Sequence, residues 1–108
     1  MTVKKAFIYF LFPEKLDKLN DYILSFKTDK KDFNKNTKMV YVENLELTTE
    51  HFTEFLKYLY GIGAYRAEII CKDKDGLFDR YLFRDRKWSL DVVDTLMCTV
   101  NKRKEIVI

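Results

Sequence analysis

The segment over residues 64–88 constrains the fold more than any other part of the chain, because two apolar stretches flank a short polar connection there. The connection contains Asp73, Lys74, Asp75 and Gly76, which suits a type I turn followed by a glycine at positive φ, forming a G1 bulge. The pattern predicts a long β-hairpin. Side chains alternate between the two faces of a strand, so the hairpin can present two faces of different character.

The register of the hairpin decides which side chains share a face. A bulged turn sets Ile69 opposite Tyr81, whereas a two-residue turn would set Ile70 opposite Tyr81. The second register moves Arg80 and Arg84 to the face of Ile69, because a slip of one residue moves every side chain of one strand to the other face. We prefer the bulged register, since it separates apolar from basic residues more cleanly.

The bulged register predicts one face that belongs to the core and one that is directed outward. The core face contains Tyr65, Ala67, Ile69, Cys71, Tyr81 and Phe83. The outer face is basic with apolar residues between the charges, and it contains Arg66, Glu68, Ile70, Lys72, Arg80, Leu82 and Arg84. An outer face of this composition is suited to meet an acidic surface.

The composition predicts one globular domain over residues 1–108. Hydrophobic residues make up 47% of the chain and aromatic residues 16%, which excludes a disordered chain. The 20 basic and 17 acidic residues leave a net charge of +3. Nucleic-acid binding would therefore have to come from local clusters of basic residues rather than from the total charge.

The cysteines and the N-terminal segment bear on the cellular compartment. Cys71 and Cys98 form neither a disulfide framework nor a metal-ligand spacing, and we expect both to be buried free thiols in a reducing compartment. The apolar run after Lys4 and Lys5 is far shorter than the roughly 20 residues that span a membrane, and no signal-peptide cleavage site follows it. The sequence predicts a cytoplasmic protein without a membrane partner.

Hydrophobic spacing predicts two strands, a helix and a loop in the first part of the chain. The near-continuous apolar run over residues 3–12 indicates a strand covered on both faces. Pro13 suits a first helical turn, and the apolar spacing over residues 13–27 predicts an amphipathic helix. Residues 27–38 are typical of a loop, and residues 39–45 predict a strand.

The rest of the chain predicts two further helices and a final strand around the hairpin. Thr48 suits the N-cap of the second helix, and Gly61 and Gly63 bracket its end, as an αL C-cap requires. Ser89 suits the N-cap of the third helix, and residues 105–108 predict a short last strand. The order β-α-β-α-β-β-α-β predicts an α+β domain: a single mixed sheet of about five strands with three helices mostly on one face.

No motif in the chain predicts catalysis, a cofactor or a metal. His51 lies in the first turn of the second helix, where a surface position is the common one. Ion pairing with lysine or arginine is a more common role than acid–base catalysis for Glu43, Glu46, Asp79 and Asp85. The chain has no Gly-rich phosphate loop and no zinc-ligand spacing. We therefore expect a protein that is not an enzyme and holds neither cofactor nor metal.

The leading hypothesis is a small, non-catalytic, intracellular interaction protein that docks a basic β-hairpin face on an acidic macromolecular partner. The predicted partner-binding residues are Arg66, Ile70, Lys72, Arg80, Leu82, Arg84, Arg86 and Trp88. An acidic protein surface is favoured over nucleic acid, because arginine mixed with apolar and aromatic residues is typical of protein interfaces. By analogy, a compact Lys-rich chain of this kind is typical of a phage or mobile-element regulator or inhibitor. Its many aromatic residues also favour a homodimer.

Two alternative functions stay open. The first is a sequence-tolerant nucleic-acid-binding protein, in which the hairpin and the loop over residues 30–38 neutralise phosphates and stack on a base. Its additional binding residues are Lys30, Lys31, Phe33, Lys35 and Lys38. The second is a small enzyme whose residues converge only in three dimensions. A deep pocket with a perturbed carboxylate near His51 or Glu43 would support that reading.

Overall fold

The structure of the protein, a computed structural model, describes the backbone of residues 2–72, 78–94 and 99–106 and the side chains of residues 2–72 and 78–90. The described residues form strands β1 (Thr2–Phe10), β2 (Lys30–Asn34), β3 (Met39–Glu46), β4 (Ala64–Lys72), β5 (Phe78–Arg84), β6 (Lys87–Asp94) and β7 (Thr99–Ile106). The helices are α1 (Glu14–Ile23) and α2 (Thr49–Gly61).

All seven strands belong to one antiparallel sheet with the order β2-β3-β1-β4-β5-β6-β7. The predicted α+β class and the single sheet are confirmed. The predicted counts were approximately right, since the described part of the chain has seven strands rather than about five and two helices rather than three. The sheet is antiparallel rather than mixed, because hairpins rather than crossovers join most of its neighbouring strands.

One face of the sheet, called the covered face here, packs against both helices. Leu19 of α1, Phe55 of α2 and the strand residues Ile8, Val40 and Ile69 all have fully buried side chains in the same hydrophobic cluster. Alternate positions on the strands point to the opposite side, called the open face, on which neither α1 nor α2 lies. This two-layer arrangement therefore buries one surface of the sheet and leaves the other exposed or half-buried.

The prediction that residues 3–12 form a strand covered on both faces was wrong. Phe7 and Tyr9 lie half-buried on the open face of β1. Leu11 and Phe12 lie beyond the end of the strand, and each is 59% exposed. The apolar run is continuous because buried residues of the covered face alternate with aromatic residues of the open face. It does not indicate that layers cover the strand on both sides.

The register of the β4–β5 hairpin is the predicted bulged one. Ile69 lies opposite Tyr81, and Lys72 lies opposite Phe78. The turn itself, over residues 73–77, is outside the described residues. Tyr65 departs from the expected core position because a bulge shifts the register between Tyr9 and Phe10, and its side chain is 46% exposed.

The segment over residues 27–38 is not the loop that was predicted. It contains the five-residue strand β2, which pairs with β3 and sets Phe33 opposite Val40. The connecting turn begins at Asn34, whose side-chain Oδ1 accepts hydrogen bonds from the backbone N–H groups of Asn36 and Thr37 at 3.0 and 3.2 Å. An Asn side chain that satisfies the following amides in this way stabilises a tight turn.

The predicted third helix was also wrong, because β6 and β7 occupy most of its span. Leu90, Val93 and Val100 have helical spacing, but Trp88, Leu90 and Val92 also alternate with period two, and valine favours strands. Without β6, the strand β5 would have an unpaired edge. The short final strand predicted over residues 105–108 is part of β7 as far as Ile106, and residues 107–108 are outside the described part.

The first two helices have the predicted core faces, although α1 ends four residues earlier than expected, at Ile23. The Thr48 side chain caps α2 by accepting a hydrogen bond from the backbone N–H of His51 at 3.1 Å. At the other end of α2, Gly63 adopts a φ of 84°, which glycine tolerates without a Cβ clash. The caps fix the length of α2 and therefore its position over the sheet.

Replacing Thr48 with alanine tests the cap. Thr48→Ala removes the acceptor for the His51 amide, and we expect it to lower the free energy of unfolding by about 1 kcal/mol. Thr53→Ala is the matched control, because Thr53 is exposed in the middle of α2 and alanine has the higher helix propensity. Urea unfolding followed by circular dichroism measures both, and equal stability of the two variants would contradict the capping role.

Candidate functional site: the open face of the sheet

The hairpin part of the open face brings together six of the eight predicted partner-binding residues. They are Arg66, Ile70 and Lys72 on β4 and Arg80, Leu82 and Arg84 on β5. The pairs Arg66–Arg84 and Ile70–Arg80 are direct neighbours across the two strands. Ile70 and Leu82 are half-buried between these cations, so the surface combines positive charge with an apolar base.

Trp88 does not belong to this face. Its side chain is 4% exposed, and its ring packs on that of Phe83 in the core with ring centroids 4.9 Å apart. The indole Nε1 is buried and has no hydrogen-bond partner among the described residues. Trp88 lies opposite Phe83 in the sheet register, which assigns it to the covered face and to a structural role.

Arg86 also lies on the helix side. Asp85 and Arg86 form the two-residue turn between β5 and β6, with φ values of 53° and 62°, the backbone of a type I′ turn. The guanidinium carbon of Arg86 lies 3.6 Å from the centroid of the Tyr60 ring, and Arg86 Nη1 donates a hydrogen bond to the Tyr60 carbonyl at 3.2 Å. Arg86 therefore places a cation at the C-terminal end of α2, where the helix dipole favours positive charge.

The other half of the open face is aromatic, and the sequence interpretation missed it. Phe7 and Tyr9 on β1 lie next to Met39 and Tyr41 on β3, and all four side chains are half-buried. The rings of Phe7 and Tyr41 are 4.8 Å apart between centroids. Alternation within the two apolar runs was the signal that could have identified these residues.

Cations lie beside two of these rings. Arg66 is 5.9 Å from the centroid of Tyr9, and Lys30 is 5.8 Å from that of Tyr41, which are distances typical of cation–π contacts. The Tyr41 hydroxyl donates a hydrogen bond to the Glu43 carboxylate. That hydrogen bond is the main cause that raises the pKa of the Tyr41 phenol above its usual range.

The residues of the second predicted cluster, over residues 30–38, lie on different sides of the molecule. Phe33 packs against the core, and Lys35 forms an ion pair with Asp17 of α1 at 3.0 Å. Lys31 lies opposite Val42 and so on the covered side of β2, and the exposed Lys38 adopts a φ of 57° in the turn. Of the five predicted residues, Lys30 alone has a register position on the open face.

A shallow groove of about 390 Å³ opens on this face where β1, β4 and β5 adjoin. Its lining contains three cations, one carboxylate and two apolar side chains: Lys4, Lys5, Arg80, Glu68, Ile70 and Phe78. The irregular register between Val3 and Lys5 brings both lysines of β1 to its rim. A second depression, of about 490 Å³, lies on the helix layer next to Tyr22 and Tyr58.

The described residues include no group of three or more His, Cys, Asp and Glu side chains that could hold a metal ion. His51 is exposed and contacts the ring of Phe26, with ring centroids 5.4 Å apart. Neither described helix has the length and apolar character needed to cross a membrane.

Comparisons with known proteins give no relative for this chain: no family model, curated protein or solved structure matches it.

Substitution of Arg86 tests its structural role. Arg86→Ala keeps a side chain at positive φ and loses the contacts with Tyr60, so we expect the free energy of unfolding to fall by about 1–2 kcal/mol. Arg86→Gly should recover about 1 kcal/mol of that loss, because glycine accepts positive φ. Chemical unfolding measures both variants, and wild-type stability of Arg86→Ala would contradict this role.

The buried thiol of Cys71 and the half-buried phenol of Tyr81 predict loss of stability at high pH. Burial is the main cause that raises the pKa of Cys71 to about 12 and that of Tyr81 to about 12. An unfolded chain ionises these groups near pH 8.5 and 10, so the unfolded state binds fewer protons above those values. We expect unfolding midpoints in urea to fall steadily from about pH 8.5 toward pH 12.

The reactivity of Cys71 gives an independent measurement. Cys71 is a free thiol with 2% exposure, as predicted, while Cys98 lies outside the described residues. In a Cys98→Ala background, we expect a thiol reagent to modify Cys71 slowly at pH 8 and rapidly in urea, because only the thiolate reacts. Equal rates in the folded and unfolded protein would contradict the assigned burial.

Proposed function

We propose that the protein is a small, intracellular, non-catalytic binding module whose open sheet face docks on an acidic surface of a macromolecular partner. One observation carries the proposal. Two helices cover one face of the sheet, and the opposite face combines the arginines of β4 and β5 with half-buried apolar and aromatic side chains.

The charges of this face favour an acidic partner. Arg66 and Arg84 lie side by side across β4 and β5, and Arg80 and Lys72 extend the positive surface along the two strands. Like charges so close together raise the local positive potential, which a complementary negative surface relieves. Arginine also binds carboxylates in a bidentate geometry, so it supplies orientation as well as attraction.

The composition of the face favours a protein as the partner. Tyr, Phe, Met and Arg are enriched in the centres of protein interfaces, and the open face carries Phe7, Tyr9, Met39 and Tyr41 beside the arginines. Such a module acts by covering a partner's surface, which is the mode of action of an inhibitor or regulator. A homodimer through the same face remains a prediction.

Nucleic acid is the second candidate, and the rings of Tyr9 and Tyr41 beside Arg66 and Lys30 favour it. Aromatic rings next to cations are the elements of a stacking surface for unpaired bases. Binding of this kind weakens steeply as salt concentration rises, because phosphate contacts release counterions.

Charge reversal on β5 tests the proposed docking face. We expect Arg80→Glu combined with Arg84→Glu to weaken retention of the partner at least about tenfold, because each substitution places a carboxylate against an acidic surface. Retention is measured by affinity capture from a native extract, eluted with a salt gradient, with and without nuclease treatment.

The matched control is Lys18→Glu combined with Lys57→Glu, which changes the net charge equally on the exposed surface of the helices. Equal retention by both double variants would refute the docking face. Retention that disappears after nuclease treatment would favour nucleic acid over a protein partner.

A further inference from the structure

Charged residues alternate in sign along one row of neighbours that crosses the open face. The row runs from β2 to β7 through residues paired in register: Lys30, Glu43, Lys5, Ile70, Arg80, Asp91 and Arg103. Lysine and glutamate alternate over the first three positions, and arginine and aspartate alternate over the last three. Opposite charges across neighbouring strands stabilise a sheet.

The alternation is interrupted at a single position of this row. Ile70 stands between Lys5 on β1 and Arg80 on β5, where the pattern calls for an anion. The two flanking Cα atoms are separated by two strand spacings, or roughly 10 Å. Long lysine and arginine side chains on either side can therefore reach a common group placed over Ile70.

The groove of about 390 Å³ lies at this interruption, since Lys5, Ile70 and Arg80 all line it. Phe78 adds an apolar wall, and Ile70 is half-buried at the base. A group that fills the groove would meet positive charge at two sides and an apolar surface beneath it.

We propose that this groove receives a carboxylate of an acidic protein segment, whose oxygens bind Lys5 and Arg80 and complete the alternating row. An apolar side chain next to that carboxylate in the partner would lie on Ile70 and Phe78. The partner is thus identified as an acidic peptide segment in which aspartate or glutamate stands beside apolar residues. The inference rests on the proposed function and deepens it.

The carboxylates of the open face favour this occupant over a phosphate backbone. Glu68 lines the groove, and Glu43 and Asp32 occupy register positions toward the other edge. A single negative charge between two cations is compatible with Glu68 nearby. A nucleic acid carries a phosphate at every nucleotide, and it would meet all three carboxylates as it crossed the face.

A substitution at the interruption tests the inference without any partner. Ile70→Glu places a carboxylate between Lys5 and Arg80, whereas Ile70→Gln has the same shape and no charge. We expect the glutamate variant to melt about 2–5 °C above the glutamine variant in low salt, the size of an opposite-charge pair in a sheet. The difference should vanish in 1 M salt, which screens such pairs. Equal melting temperatures in low salt would overturn the inference.

Binding of defined probes tests the occupant. The probes are a fluorescein-labelled peptide in which one aspartate stands between leucines, the same peptide with asparagine for that aspartate, and an oligo(dT) of equal length. We expect the acidic peptide to bind at least about tenfold more tightly than the neutral one, and Ile70→Glu to weaken that binding much more than Ile70→Gln, which loses the apolar contact but adds no charge. Tighter binding of the oligo(dT) than of the acidic peptide, or no binding of the acidic peptide, would overturn the inference.

The two proposals can fail separately. If Arg80→Glu with Arg84→Glu abolishes partner capture while Ile70→Glu and Ile70→Gln behave alike, the docking face stands and the carboxylate site is refuted. If capture is unaffected while the Ile70 variants differ in stability and in peptide binding, the groove binds carboxylates and the docking face is refuted.

Discussion

The packing of two helices on a single face of the sheet is the constraint on which the rest of the structure depends. Burial of apolar area against α1 and α2 supplies the main stabilising term, and it is confined to side chains such as Ile8, Val40 and Ile69 on one side of the strands. The opposite side is left to water. A sheet with one solvated face can carry a binding surface without loss of core. In this protein that face carries Arg66, Arg80, Arg84, Tyr9 and Tyr41.

The features that were predictable from the sequence are those that local chemistry decides. The register of the β4–β5 hairpin followed from its turn residues and from the separation of apolar and basic side chains. Thr48 marked the start of α2, and Gly61 and Gly63 bracketed its end. The prediction of a third helix was wrong because the spacing of apolar residues from Trp88 to Val100 is compatible with both a helix and a strand. The strand β6 is favoured because β5 would otherwise have an unpaired edge. The local sequence does not contain that information.

The candidate site was also predictable only where local sequence decides the structure. The hairpin cations followed from the register, whereas Arg86 depends on a turn in which two non-glycine residues adopt positive φ, a conformation that sequence rarely reveals. The aromatic half required the strand order, because Phe7 and Tyr41 become neighbours only when β1 pairs with β3. The groove likewise exists only because β1 lies beside β4.

The edge strand β2 has a consequence for how the protein behaves at high concentration. It is five residues long, begins with Lys30 and Lys31, and lies at one end of the sheet order with its first three residues exposed. Short, lysine-bearing edges resist the addition of further strands from other molecules, which is the first step of sheet polymerisation. Lys30 and Lys31, which the sequence offered as nucleic-acid-binding residues, thus lie on an edge strand, where lysine disfavours strand addition. Such an edge opposes strand addition between molecules even though the sheet carries aromatic, half-buried side chains on its open face.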